Sequence, residues 1–160
     1  MKNWDKIEDA LNELEDYIID KAEDLKLAGW SYFPTAKAPE SFRDLARSSR
    51  NGKIPVANYG CEKTIFKDAH TNVLSRFWND VTHLEQGLGF SFYEELDVIQ
   101  RQIDQARADG LSFTARVLLN FDMAGQVYYY DTHREFVKDQ YQFVMYCMAY
   151  GLDAALEHKF

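Results

Sequence analysis

The sequence predicts an all-α fold, a single-domain helical bundle of five main helices and one short helix. Three observations predict it. Apolar residues recur at steps of three and four along most of the chain, which is the period of a helix. Pro, Gly and Asn punctuation falls between those periodic runs. No βαβ alternation, Gly-rich phosphate loop or G-x-S-x-G elbow is legible. A chain of 160 residues is one domain by length and can bury a sizeable core.

Residues 3–27 read as a long amphipathic helix. Trp4, Ile7, Leu11, Leu14, Ile18 and Leu25 form its apolar stripe, with Asp and Glu between them. Asn3 is the predicted cap, Asp5 suits the positive end of the helix dipole, and Gly29 ends the run. Residues 30–63 are the irregular part, punctuated by Pro34, Pro39, Gly52, Pro55 and Gly60. Within them Glu40–Ser49 predicts a short helix opened by Pro39, followed by an Asn51-Gly52 turn. The segment is too aromatic for a linker and is expected to pack on the helices.

Residues 64–86 predict the next helix, ended by Gly87, with Phe66, His70, Val73, Phe77, Val81 and Leu84 on one stripe. Ser91 and Glu94 match a capping box opening a helix to Asp109-Gly110. Residues 112–127 are apolar nearly all round, as in a central, buried helix. Val127–Tyr130 also suits a short extended segment. The last helix is expected from Thr132, with Glu135 as capping partner, to Leu156, bent at Gly151.

Composition narrows function. The net charge is −8, which argues against a general nucleic-acid binder. Nucleic acid is expected as a partner only weakly or indirectly. The charge is uneven: residues 1–27 hold nine acids against four lysines, whereas residues 28–63 hold six bases against three acids. Cys61 and Cys147 stand far apart, so neither a disulfide framework nor a zinc ribbon is predicted. No signal peptide and no run of about 20 apolar residues is visible, which predicts a cytoplasmic protein with no membrane partner. No cofactor motif is present, and no metal site is predicted.

The stretch "SRFWNDVTHLEQGLGFSFYEEL", Ser75–Leu96, concentrates chemically capable residues. At about 100° per residue, Arg76, Asn79, Asp80 and His83 share a polar face, while His70 falls on the apolar stripe as a core histidine. His70 and His83 lie about 20 Å apart along a continuous helix and cannot share a metal. Asp80 and His83, three residues apart, have the spacing of a carboxylate-x-x-His pair, but no second such pair exists.

Arg76-x6-His83 resembles the signature of HEPN-type ribonucleases, small helical proteins of defence and toxin systems. The resemblance covers eight residues, and Phe77 stands where the family prefers a polar residue. It implies metal-independent RNA cleavage by a dimer, with His83 moving a proton and Arg76 stabilising the phosphorane. The competing reading is a solvated face carrying an Arg76–Asp80 pair.

Two charged surfaces complete the reading. Arg43, Arg47, Arg50 and Lys53 form a stripe suited to phosphate, or to pairing with the acidic first helix. Nine acids between Asp5 and Asp24, including Glu13, Asp16 and Asp20, form a ribbon able to occupy a basic groove on a protein partner. Cys61, in "NYGCEKT", is a candidate nucleophile with His70 or His83 as base, or a structural thiol. The segments "RFWNDVTHLEQGLGFSFYEEL" and "REFVKDQYQFV" resemble small helical proteins of phages and other mobile elements. That resemblance implies an inhibitor or accessory factor. The expected function is a non-enzymatic protein-interaction module acting on a nucleic-acid-handling complex. The ribonuclease and a carboxylate/His metal enzyme are the alternatives.

Overall fold

A computed structural model of the chain describes residues 3–160, with side chains from Trp4 onward. The cap expected at Asn3 therefore lies outside the described side chains. The helices are α1 (Asn3–Leu27), α2 (Phe42–Ser48), α3 (Ala69–Gln86), α4 (Phe92–Ala108), α5 (Phe113–His133), α6 (Gln140–Tyr150) and α7 (Leu152–Ala155). Helices dominate the fold, as the periodicity predicts, and five of them are long.

α1 lies along α3 and α5, α4 packs on α3 and α5, and α6 packs on α5. α5 therefore sits among three helices, which is why its sequence is apolar on nearly every side. Leu14, Ile18, Phe77, Val81, Leu118, Leu119 and Phe143 are fully buried. Each such side chain contributes roughly 1.5–3 kcal/mol by leaving water.

Between α1 and α3 the chain departs from expectation. Strands β1 (Ser31–Thr35) and β2 (Lys53–Ala57) pair in parallel, with Tyr32 opposite Ile54 and Pro34 opposite Val56. With α2 between them they form one small βαβ unit. Sequence periodicity misses it because each strand has five residues and a proline. A two-stranded ribbon tolerates proline, since half of its ladder positions face no partner. Ile54 and Val56 are fully buried against α3, and the Tyr32 ring packs 4.9 Å from that of Phe77.

Several boundaries are corrected. α2 is capped by Ser41, whose side chain accepts from the Asp44 backbone N–H at 3.2 Å. α3 opens at Asp68, which accepts from Thr71 N–H at 2.8 Å, so Phe66 precedes the helix. α4 opens as predicted: Glu94 folds back to accept from the backbone N–H of Gly89 at 3.0 Å and of Ser91 at 3.4 Å. The proposed Val127–Tyr130 extension is helical, and α5 runs on to a left-handed cap at Arg134. Glu135 caps nothing; it meets Lys159 at 2.6 Å. Asp139 opens α6 by accepting from Gln142 N–H at 2.9 Å. Gly151 divides α6 from α7 rather than bending one helix.

Candidate functional site

Sequence spacing places Arg76, Asn79, Asp80 and His83 together, and α3 does bring them onto one side. That side is not solvated. It faces inward over β2, the loop after it and the first turn of α4. A cavity of about 210 Å³ opens there, lined by Arg76, Asn79, Asp80, His83 and Glu95 among others.

Arg76 is held by backbone rather than by Asp80. Its Nη1 donates to the carbonyls of Ala57 at 3.0 Å and Tyr59 at 2.7 Å, and its Nη2 donates to Gly60 at 3.2 Å. The planar, forked guanidinium suits such convergent carbonyls. It ties the end of β2 and the following turn to α3. Asn79 donates from Nδ2 to Gln102 Oε1 on α4 at 3.0 Å.

His83 is 1% exposed. Its Nδ1 lies 2.9 Å from the Leu88 carbonyl oxygen, and Phe90 meets its ring edge-on at 4.8 Å. Nε2 lies 3.3 Å from Glu95 Oε2, although the alignment falls short of a hydrogen bond. Burial alone lowers the imidazole pKa, but the Glu95 carboxylate, the Leu88 carbonyl and Asp80 together raise it above the ordinary value. Burial pushes the Asp80 carboxyl up to about 7, Glu95 adds to the rise, and His83 and Arg76 oppose it. A buried group thus prefers its neutral form unless a partner compensates.

No family model matches this chain, and no curated protein or solved structure is significantly similar to it. Geometry alone therefore bears on function.

For RNA cleavage, a general base needs to reach the 2′-hydroxyl at hydrogen-bond distance. His83 is closed over by Leu88 and Phe90, and three carbonyls occupy the Arg76 guanidinium. Among the described residues no group of three or more His, Cys, Asp or Glu side chains converges as a metal site.

Other sequence candidates fall elsewhere. His70 is exposed rather than in the core, because α3 begins only one residue before it. Cys61 is buried, and burial pushes its thiol pKa up, opposite to the activation a nucleophile needs. Arg43, Arg47, Arg50 and Lys53 are all exposed. They do not pair with α1 among the described residues: Arg47 lies 3.7 Å from Asp44 of its own helix, and Lys53 sits over the Phe33 ring at 5.3 Å.

The acidic ribbon on α1 is thinner than its sequence. Glu13 turns to α5, accepting from the Ser112 backbone N–H at 2.8 Å. Glu15 is buried, accepting from Lys67 N–H at 2.9 Å and the Thr71 hydroxyl at 3.2 Å. Glu23 meets Lys26 at 2.6 Å and Asp24 meets Lys21 at 3.5 Å. Glu8, Asp9, Asp16 and Asp20 remain exposed, with no ion pair or side-chain hydrogen bond among the described residues. They span about 18 Å of helix at 1.5 Å per residue. Exposed apolar side chains accompany them, Trp4 at 66% and Leu27 at 87%, with Ile19 between.

Sequence reasoning missed Glu95 and Asp122. Glu95 follows the capping residue Glu94 and reads as first-turn charge. Asp122 is a lone acid in an apolar helix, and that isolation is its sequence signal.

Proposed function

We propose that this chain is a non-enzymatic protein-interaction module that lays the acidic face of α1 into a basic groove on a protein partner. An inhibitor or accessory factor of a nucleic-acid-handling complex fits that chemistry, because such complexes carry grooves built for phosphates. One observation carries the reading. Asp9, Asp16 and Asp20 form an exposed row of carboxylates, with Glu8 about 100° round the helix, none with a partner among the described residues, and the exposed apolar side chains of Trp4, Ile19 and Leu27 lie on the same helix. Unpaired surface charge steers the encounter, and a few apolar anchors hold the complex. The burial of His83 and the backbone commitment of Arg76 support placing the recognition surface on α1 rather than on α3.

The experiment immobilises the wild-type chain and a D16K/D20K variant and exposes both to extract of the native host at low and high salt. A protein retained by the wild type, released by salt and not retained by the folded variant is the expected result. A partner held equally by both, or held undiminished at high salt, sinks this reading.

A further inference from the structure

Next to the first cavity, and sharing Arg76, Asn79 and Glu95 with it, a second cleft of about 190 Å³ opens between α3, α4 and α5, lined also by Asn72, Asp122, Met123 and Val127. A cavity of about 150 Å³ is enough for a benzene-sized molecule. Two polar groups in this cleft are left incomplete. Asn72 is 5% exposed, and its Nδ2 has no acceptor among the described residues. Asp122 is 6% exposed, and its carboxylate has Gln126 as its side-chain partner, at 3.3 Å. Arg76 reaches the same space, but the carbonyls of residues 57, 59 and 60 hold it. Buried polar groups are ordinarily paired, and exceptions call for an explanation.

We infer that this cleft binds a small organic cation, an amine bearing a hydrogen-bond acceptor on a short carbon frame. The amine supplies N–H donors and positive charge to Asp122, with Glu95 beside it already shared with His83. The acceptor takes the free N–H of Asn72. The carbon frame lies against Met123 and Val127. Glu95 is shared with His83, 3.3 Å from its other side, and Arg76 is turned to backbone carbonyls, so Asp122 is the carboxylate of this cleft with no ion pair among the described residues. The carboxylates do not gather as metal ligands: among the described residues no group of three or more His, Cys, Asp or Glu converges.

Protonation gives this site a signature. Burial pushes the Asp122 carboxyl up to about 7, with Arg76 and the Gln126 hydrogen bond opposing. An ammonium arriving at Asp122 favours the carboxylate, so the carboxyl proton leaves to solvent. Glu95 and Arg76 are the other charged groups lining the cleft, and His83 faces Glu95 at 3.3 Å, where loss of its proton as pH rises frees Glu95 and acts in the same direction. Binding therefore tightens as pH rises through 7. This site is separate from the α1 surface, so either reading can fail alone.

The test uses the full chain and three sets of probes: aliphatic amino-acid amides as cations, the matching free amino acids as zwitterions, and the N-acetyl amino acids as anions. Titration calorimetry in two buffers of different ionisation enthalpy reads affinity and proton release together. The amides are expected to bind tightest and to release protons near neutral pH, and D122N to lose about tenfold or more in affinity. D122N keeps the shape of the side chain, and the proton release is read on the wild type, so a folding defect in the variant leaves the test standing. No binding in the cation set, tighter binding of zwitterions or anions, absence of proton release, or undiminished binding to folded D122N overturns the inference.

Discussion

His83 Nε2 lies 3.3 Å from Glu95 Oε2, while Nδ1 of the same ring lies 2.9 Å from the Leu88 carbonyl oxygen. A carbonyl oxygen only accepts, so Nδ1 carries a proton. Nε2 then meets a carboxylate either as a bare lone pair, which is repelled, or as an N–H, which is attracted. The packing thus selects the imidazolium, and α3 is joined to the start of α4 by a largely buried charge pair. Such pairs stabilise little against apolar replacements but are costly to break by removing one partner.

The pH dependence of stability follows from three groups of the same sign. The folded His83 pKa is raised, so its contribution is complete below the unfolded value of about 6.5 and is lost as pH rises through the folded value. Asp80 and Asp122 both sit at about 7 when folded. Their protonated forms favour the fold, so stability falls as pH climbs from about 4 to 7. Asp68 and Asp109 are shifted down, and their contributions vanish in acid. Maximum stability is expected at about pH 4, between the two trends. Urea midpoints across the pH range measure this. D122N is expected to flatten the fall above that maximum. A midpoint that climbs steadily towards pH 8 contradicts the assignment.

Arg76 gives the second prediction. Replacing it with Ala takes the donor from the Ala57 and Tyr59 carbonyls, while Gly60 keeps Gln140 Nε2 at 3.2 Å, and the loss is expected to be about 2 kcal/mol, in the range for hydrogen bonds to a charged donor. Lys, with a single ammonium in place of a planar fork, is expected to recover only part of that. Denaturant unfolding of R76A and R76K measures both. A stable R76A would mean that the guanidinium is free to serve something outside the chain.

The long elements were legible because a buried helix face imposes its period on the sequence. Leu14 and Ile18, or Ile99 and Ile103, declare their shared sides without tertiary information. β1 and β2 were not legible, since five residues are too few to establish alternation and Pro34 and Pro55 argue against strands one at a time. Their parallel pairing appears only when α2 carries the chain back. The α3 cluster was half legible. Helical spacing correctly gathers Arg76, Asn79, Asp80 and His83. Spacing within one helix cannot say that the turn at Leu88–Phe90 folds over His83, nor that Glu95 arrives from the next helix. Periodicity misplaces His70 because it starts the helix at 64 rather than at Ala69, and so puts a first-turn residue in the core.

α1 separates structural from surface carboxylates, and the third prediction uses the contrast. E13A removes the acceptor of the Ser112 N–H and is expected to cost about 1 kcal/mol. E15A strands the Lys67 N–H and the Thr71 hydroxyl in a buried setting and is expected to cost about 2 kcal/mol. D16K and D20K touch no partner among the described residues and are expected to change stability by less than about 0.5 kcal/mol. Thermal melts of the four variants rank them. Destabilisation by D16K or D20K comparable to E15A would place these carboxylates in the fold rather than on a binding face.

The fourth prediction concerns Gly125, in the middle of α5. Glycine inside a helix is unfavourable by about 1 kcal/mol relative to alanine, so propensity alone says that G125A should stabilise the protein. Packing says the reverse. A Cβ there would lie 2.9 Å from Phe143 Cε1 and 3.3 Å from Cζ. The Phe143 ring has little room to retreat: it is fully buried and meets Tyr129 and Phe160 edge-on, each at 5.5 Å. Overpacking of this kind costs about 1–3 kcal/mol, which exceeds the propensity gain and leaves a net loss of about 1 kcal/mol. G125A is therefore expected to lower the melting temperature by about 2–4 °C for a chain of this size. G125A/F143L, with a smaller side chain facing the added methyl group, is expected to lose less than the sum of its single variants, because the second change relieves the clash created by the first. Additive losses would show that α5 and α6 part at little cost, and the glycine would then need another explanation.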